Sequence, residues 1–110
     1  MSWKINYSAS SKEDLKAIFD YISCEFLSPK HAAGQVERIM KAGRSLADMP
    51  MRHQVYEEEP WKSRQVRSVP VDHYIIFYLP KEENETVHIL RIIYGGRNLQ
   101  HQKPETKEML

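Results

Sequence analysis

A chain of 110 residues has room for one domain with a real core and not for two. Hydrophobic residues at 41% and charged residues at 28% describe an ordinary soluble globule and exclude a disordered chain. The net charge of +1 excludes a global drive toward nucleic acid, so any anion contact has to come from a local cluster. The single Cys24 excludes an intramolecular disulfide and the usual structural zinc sets, and it reads as a packed thiol on a helix. No apolar run approaches the roughly 20 residues that span a bilayer, and no signal-peptide pattern opens the chain, so no membrane contact and a cytoplasmic location are expected.

Trp3, Ile5 and Tyr7 alternate with Lys4 and Asn6, which predicts a short strand with one buried face. Ser8-Ala9-Ser10-Ser11 then supplies capping hydroxyls, and Asp14 favours a helix N-terminus electrostatically. Leu15, Ile18, Phe19, Ile22 and Phe26 recur at helical spacing and predict an amphipathic helix of about four turns. Ser28-Pro29 is the next punctuation, an N-cap followed by a proline suited to the first helical position. A second stripe, Ala32, Ala33, Val36, Ile39, Met40, Gly43, Leu46 and Ala47, runs up to Met49-Pro50, where the proline discourages further helix. The short link makes the pair an antiparallel helical hairpin. Ala32, Ala33 and Gly43 either permit close approach to a neighbour or are small residues merely tolerated there.

From Pro50 to Lys62 neither period holds; Val55 and Tyr56 are candidates to dock, Glu57-Glu58-Glu59 is a solvated patch and Trp61 is a packing anchor. Gln65 to Val71 predicts a strand that ends, or turns to an edge, at Pro70, which has no N–H for a ladder. Tyr74 to Leu79 is unbroken apolar sequence and Thr86 to Tyr94 nearly so, as suits central strands covered on both faces. Pro80 to Glu85 between them is a polar hairpin loop. The order β-α-α-β-β-β predicts an α+β domain with a helical hairpin packed on an antiparallel sheet. Two helices cover one face, so the second is left to the loop Pro50–Lys62, to the tail after Leu99 or to a partner segment.

Arg64, Arg67, Arg91 and Arg97 lie in or beside the sheet. Arg97, after Gly95-Gly96, is placed to reach a phosphate or carboxylate bidentately. Arg91 shares a predicted strand face with Val87, Ile89 and Ile93, so it needs a carboxylate partner or an anion-binding concavity. The five histidines are scattered: His31 on a helix, His53 in the loop, His73 in a turn beside Asp72, His88 on a strand and His101 in the tail. They form no His-x-x-x-His pair and no Cys joins them, so neither a metal nor a cofactor is expected. His73 reads as a turn residue.

Three features, taken together, resemble the RelE/ParE toxin superfamily of bacterial toxin–antitoxin modules: the β-α-α-β-β-β order, the run Arg67 to Tyr78, and Leu90-Arg91-Ile92-Ile93-Tyr94-Gly95-Gly96-Arg97-Asn98-Leu99. The resemblance implies a toxin domain over 1–100 with a polar tail over 101–110, and a cognate antitoxin that wraps the toxin and mediates any contact with DNA. ParE-like members inhibit DNA gyrase without known hydrolytic chemistry, whereas RelE-like members cut mRNA on the ribosome. RelE has a basic residue where this chain has Ile75, and a tyrosine beyond the arginine matching Arg97 where this chain offers only His101 and Lys103. The long helical hairpin and the ending Tyr94 to Leu99 look nearer to ParE. On either branch the resemblance points to Arg67, Tyr74, Arg91 and Arg97 as contacts for target or antitoxin. A ribonuclease would draw charge from Arg67, Arg91 and Arg97, with His73 or His101 as proton carriers. An inactive or purely structural adaptor is a further reading the residues leave open.

Overall fold

Residues 2–95 are described by a computed structural model. They form β1 (Lys4–Tyr7), α1 (Ala9–Phe26), α2 (Pro29–Ser45), a short 3-10 turn at Pro50–Arg52, β2 (Arg67–Val71), β3 (Tyr74–Lys81) and β4 (Thr86–Tyr94). Each helix begins at the serine best placed to cap it. The Ser8 hydroxyl accepts the Ser11 N–H at 3.0 Å and the Ser28 hydroxyl accepts that of His31 at 3.2 Å, each satisfying an N–H that the first turn leaves without a partner. Pro29 occupies the start of α2, where its missing N–H costs nothing. Because Ser10 and Ser11 lie inside α1, that helix is about a turn longer than its apolar stripe predicted, with 18 residues. Helix α2 stops at Ser45, before the expected Met49-Pro50 boundary, yet Leu46 just beyond it remains 1% exposed.

The sheet order is β1-β4-β3-β2. Strands β2, β3 and β4 are antiparallel neighbours, but β1 pairs parallel with β4, Ile5 opposite Val87 and Tyr7 opposite Ile89. The sheet is therefore mixed, not wholly antiparallel. The chain leaves β1, crosses one face through both helices and enters the far edge at β2; two reversals then bring β4 back beside β1 running the same way. Pro70 lies on that far edge strand, where a residue without an N–H is tolerated.

On the helical face, Ile18, Ile22, Ala32, Ile39 and Leu46 pack against Tyr74, Ile76, Tyr78, Val87, Ile89 and Ile92. Burying a side chain such as Ile39 stabilises by roughly 1.5–3 kcal/mol. The small residues of α2 divide by position: Ala33 is exposed, Ala32 is fully buried, and a Cβ on Gly43 would lie 2.5 Å from the Tyr7 hydroxyl. Close approach requires Gly43.

The second face is covered by the chain's own loop. Trp61 stacks on Phe77 with ring centroids 4.2 Å apart, Tyr56 meets the same ring edge-on at 5.0 Å, and Val66 and Ile93 complete the cluster. Of the three covers expected for this face, the loop provides one, so an apolar second face is no sign of a partner. The Tyr56 N–H donates to the Val66 carbonyl at 2.8 Å and the Tyr78 hydroxyl to the Pro50 carbonyl at 2.7 Å, which ties the loop down at both ends. Burial pushes the Tyr78 hydroxyl up to about 12.

A register shift between Phe77 and Tyr78 leaves Leu90 without an opposite residue, because Phe77 faces Arg91 and Tyr78 faces Ile89. It breaks the alternation that placed Arg91 with Val87, Ile89 and Ile93: Val87 and Ile89 pack under the helices and Ile93 packs under Trp61. No helix among the described residues is long and apolar enough to cross a membrane.

Candidate functional site: an aromatic groove beside the end of β4

β1 stops at Tyr7 opposite Ile89, while β4 continues to Tyr94. Helix α1 takes β1's place along the projecting half. The Ser8 hydroxyl donates to the Leu90 carbonyl at 2.9 Å, and the Asp14 carboxylate accepts the Ile92 N–H at 2.9 Å. The same carboxylate receives Arg91 in a fork, Nε at 2.8 Å and Nη2 at 3.0 Å. The two side chains are only 12% and 15% exposed, so each charge is neutralised where water screens it poorly. The Arg91 Nη1 is buried without a partner among the described residues.

Past this pair, a groove of about 700 Å³ opens between α1 and the end of β4. Ile18, Ile22 and Ile92 form its floor, and Tyr21, Phe26, Tyr74 and Tyr94 its walls. Tyr21, Phe26 and Tyr94 are 59%, 66% and 53% exposed, a concentration of aromatic surface that an isolated domain gains nothing by presenting. Tyr74 meets Tyr94 edge-on at 5.7 Å, and its hydroxyl is held above the ordinary range by burial, with Tyr21 and Tyr94 adding to the effect. At the far end, Asp72 sits in the β2–β3 turn with φ 57 and accepts Gln35 Nε2 at 3.0 Å and Arg38 Nε at 2.8 Å. Those bonds hold its carboxyl below the usual range and anchor the turn that carries His73.

The residues expected from the sequence separate in space. Arg91, His73 and Tyr74 all line this groove. Arg67 lies elsewhere on β2, where its guanidinium donates to the carbonyls of Met51 and His53 and holds the loop. Arg97 and His101 fall outside the described residues. Asp14, Tyr21 and Tyr94 were not singled out as site residues. Tyr21 lies between Ile18 and Ile22 in the α1 pattern, one step off the core stripe, and that is the signal an unpartnered aromatic edge leaves. Chemically the groove suits apolar side chains with a few fixed hydrogen bonds, because Arg91, the one guanidinium lining it among the described residues, is already neutralised by Asp14.

The family model for the ParE toxin of type II toxin–antitoxin systems matches residues 5–99. The chain belongs to this family. Within the larger RelE/ParE superfamily it stands nearer to ParE. The match takes in both helices and every strand except Lys4 at the start of β1, and with them the whole groove. A solved structure of the chromosomal ParDE system from P. aeruginosa is similar at a TM-score of 0.70 and 18% identity, over 84% of this chain and 96% of that one. The RelBE2 toxin–antitoxin complex from Mycobacterium tuberculosis is similar at a TM-score of 0.62 and 18% identity, over 86% and 92%. At such identities the likeness is one of fold. No curated protein sequence matches the chain.

Proposed function

We propose that this ParE-family chain arrests bacterial growth by inhibiting DNA gyrase and is neutralised by a cognate antitoxin seated in the α1–β4 groove. The observation that carries the antitoxin reading is the exposed wall of Tyr21, Phe26 and Tyr94 beside a preformed apolar floor. The structural neighbour from M. tuberculosis is itself a toxin–antitoxin complex, which supports a partner of that kind here.

Gyrase is favoured over the ribosome by what the arginines are engaged in. Cleavage of mRNA requires a base for the 2′-hydroxyl, a cation for the phosphorane and an acid for the leaving oxygen. Arg91 is paired with Asp14 and Arg67 donates to loop carbonyls, so two of the three candidate cations already have partners. Ile75 stands where RelE has a basic residue, and losing a positive group aimed at the phosphorane costs roughly 3 kcal/mol, on the order of a hundredfold in rate. Arg97 is the remaining cation for contact with the target.

Expression alone should arrest growth, and co-expression of the adjacent small open reading frame should restore it. The purified chain should inhibit gyrase supercoiling of a plasmid and leave mRNA intact on programmed ribosomes. Arg97→Ala should weaken toxicity while shifting stability by no more than about 0.5 kcal/mol. Cuts at the ribosomal A site, abolished by Arg97→Ala or His101→Ala, would replace gyrase with the ribosome as target.

A further inference from the structure

The pairing of β4 with β3 determines which way each backbone group near the groove points. The Gly95 N–H donates to the His73 carbonyl at 2.7 Å, and Ile93 lies opposite Ile75. In an antiparallel ladder such hydrogen-bonded positions alternate with positions whose N–H and C=O point away, here Ile92 and Tyr94. The Ile92 N–H on Asp14 has this outward direction. Beyond it, the Ile92 C=O and both the N–H and C=O of Tyr94 face the side on which β1 has already ended, and none has a partner among the described residues. Arg91 lines the same groove, with its unpartnered Nη1 shut off from solvent. Asp14 already neutralises its guanidinium, so the groove offers no free charge to draw a second carboxylate and suits a neutral segment.

Open strand-edge groups and a wall of aromatic rings together describe the complement of an extended peptide. A helix satisfies its own backbone internally and would bury the three β4 groups without partners, at a penalty for each. An extended segment pairs with them and sends alternate side chains toward the groove. We infer that the antitoxin segment seated here is extended and adds alongside the end of β4, in line with β1. Its backbone pairs with Ile92 and Tyr94, and a large apolar side chain enters between Tyr21, Tyr74 and Tyr94. The inference rests on the antitoxin reading above and adds to it the conformation of the bound segment and the backbone groups it pairs with.

Residue-resolved amide exchange tests it, using the 110-residue chain alone and in complex with the product of the adjacent open reading frame. The Tyr94 amide should exchange freely in the chain alone and at least roughly tenfold more slowly in the complex, while the Ile93 amide, bonded within the sheet, is protected in both. Binding by Tyr94→Pro and Tyr94→Ala provides a second readout. Both remove the ring, but only proline removes the outward N–H, and it breaks no bond to β3. Tyr94→Pro should bind roughly fivefold or more weakly than Tyr94→Ala. A neutralising complex in which Tyr94 stays unprotected, or equal binding by the two variants, overturns the inference and leaves the antitoxin reading standing. Protection of Tyr94 already in the chain alone overturns it too, because the edge would then be occupied without the partner. Failure to form any complex removes the antitoxin reading itself and the inference with it. Should Tyr94→Pro not fold, the exchange measurement decides.

Discussion

Asp14 on α1 grips Arg91 on β4 through both carboxylate oxygens, at 2.8 Å and 3.0 Å, and the same carboxylate accepts the Ile92 N–H. One short side chain thus joins the helical layer to the sheet, neutralises a nearly buried guanidinium and covers the first outward N–H of β4 past β1. Asp14→Ala leaves that guanidinium uncompensated and should cost about 3–5 kcal/mol in urea denaturation. Adding Arg91→Met to the Asp14→Ala background should recover much of the loss, since an apolar side chain of similar length carries no charge to desolvate. Additive losses would show that each side chain contributes to stability independently of the other.

Gly43 and Tyr7 set the distance between α2 and β1. A Cβ at position 43 would lie 2.5 Å from the Tyr7 hydroxyl and 3.2 Å from Ile89 Cδ1. Gly43→Ala should therefore destabilise by about 1–3 kcal/mol despite alanine's better helix propensity. The Tyr7 hydroxyl is buried without a partner, and burial raises its pKa, so Tyr7→Phe should be close to neutral by thermal melting. The double variant should be more stable than Gly43→Ala alone, with the contact to Ile89 keeping the rescue partial.

Where a signal was local, the sequence announced most of the structure, although Cys24, read as a packed thiol, is exposed on α1. The apolar runs became β3 and β4, Ser8 and Ser28 became caps, and Pro70 marked an edge strand. What escaped was long-range. Parallel pairing of β1 with β4 depends on where the helical crossover delivers the chain, and no short stretch encodes that. Asp14 looked like a helix-terminus carboxylate because its partner lies 77 residues away, although Arg91 itself announced the need for a carboxylate. The shift at Leu90 moved side chains between faces without altering the apolar count. The groove was legible only in part: Arg91, Tyr74 and His73 were singled out, but the empty space beside them exists because β1 is shorter than β4.

His53 gives the fold a pH dependence near neutrality. Its Nε2 is buried without a partner and its ring meets Tyr78 edge-on at 6.3 Å. Burial, with Arg52 nearby adding to it, lowers its pKa from the ordinary 6.5. The unfolded chain therefore takes up this proton first as the pH falls. The contribution is fully present above the unfolded value and is lost progressively as the pH drops through the lowered folded one. Melting temperatures should fall as the pH drops below the ordinary 6.5, and His53→Gln should flatten that part of the profile. An unchanged slope in the variant would assign the effect to another group.

Leu27 closes α1 in the left-handed conformation, φ 49 and ψ 41, and is 87% exposed. That backbone costs an L-residue about 1–2 kcal/mol, whereas glycine adopts it freely and is the usual residue there. Leu27→Gly also gives the unfolded chain more freedom, which takes back about 0.4–1 kcal/mol. The net gain should be about 0.5–1 kcal/mol, or roughly 2–8 °C in melting temperature. A side chain so exposed loses little burial on removal, so a fall in stability would contradict the backbone account. The variant also probes the partner's reach. Leu27 adjoins Phe26, which lines the groove, but does not line it itself. If the antitoxin is confined to the groove, Leu27→Gly should bind it as tightly as the unaltered chain does, whereas a weakened complex would extend the interface to the tip of the helical hairpin and explain why a strained leucine stands where glycine would be more stable.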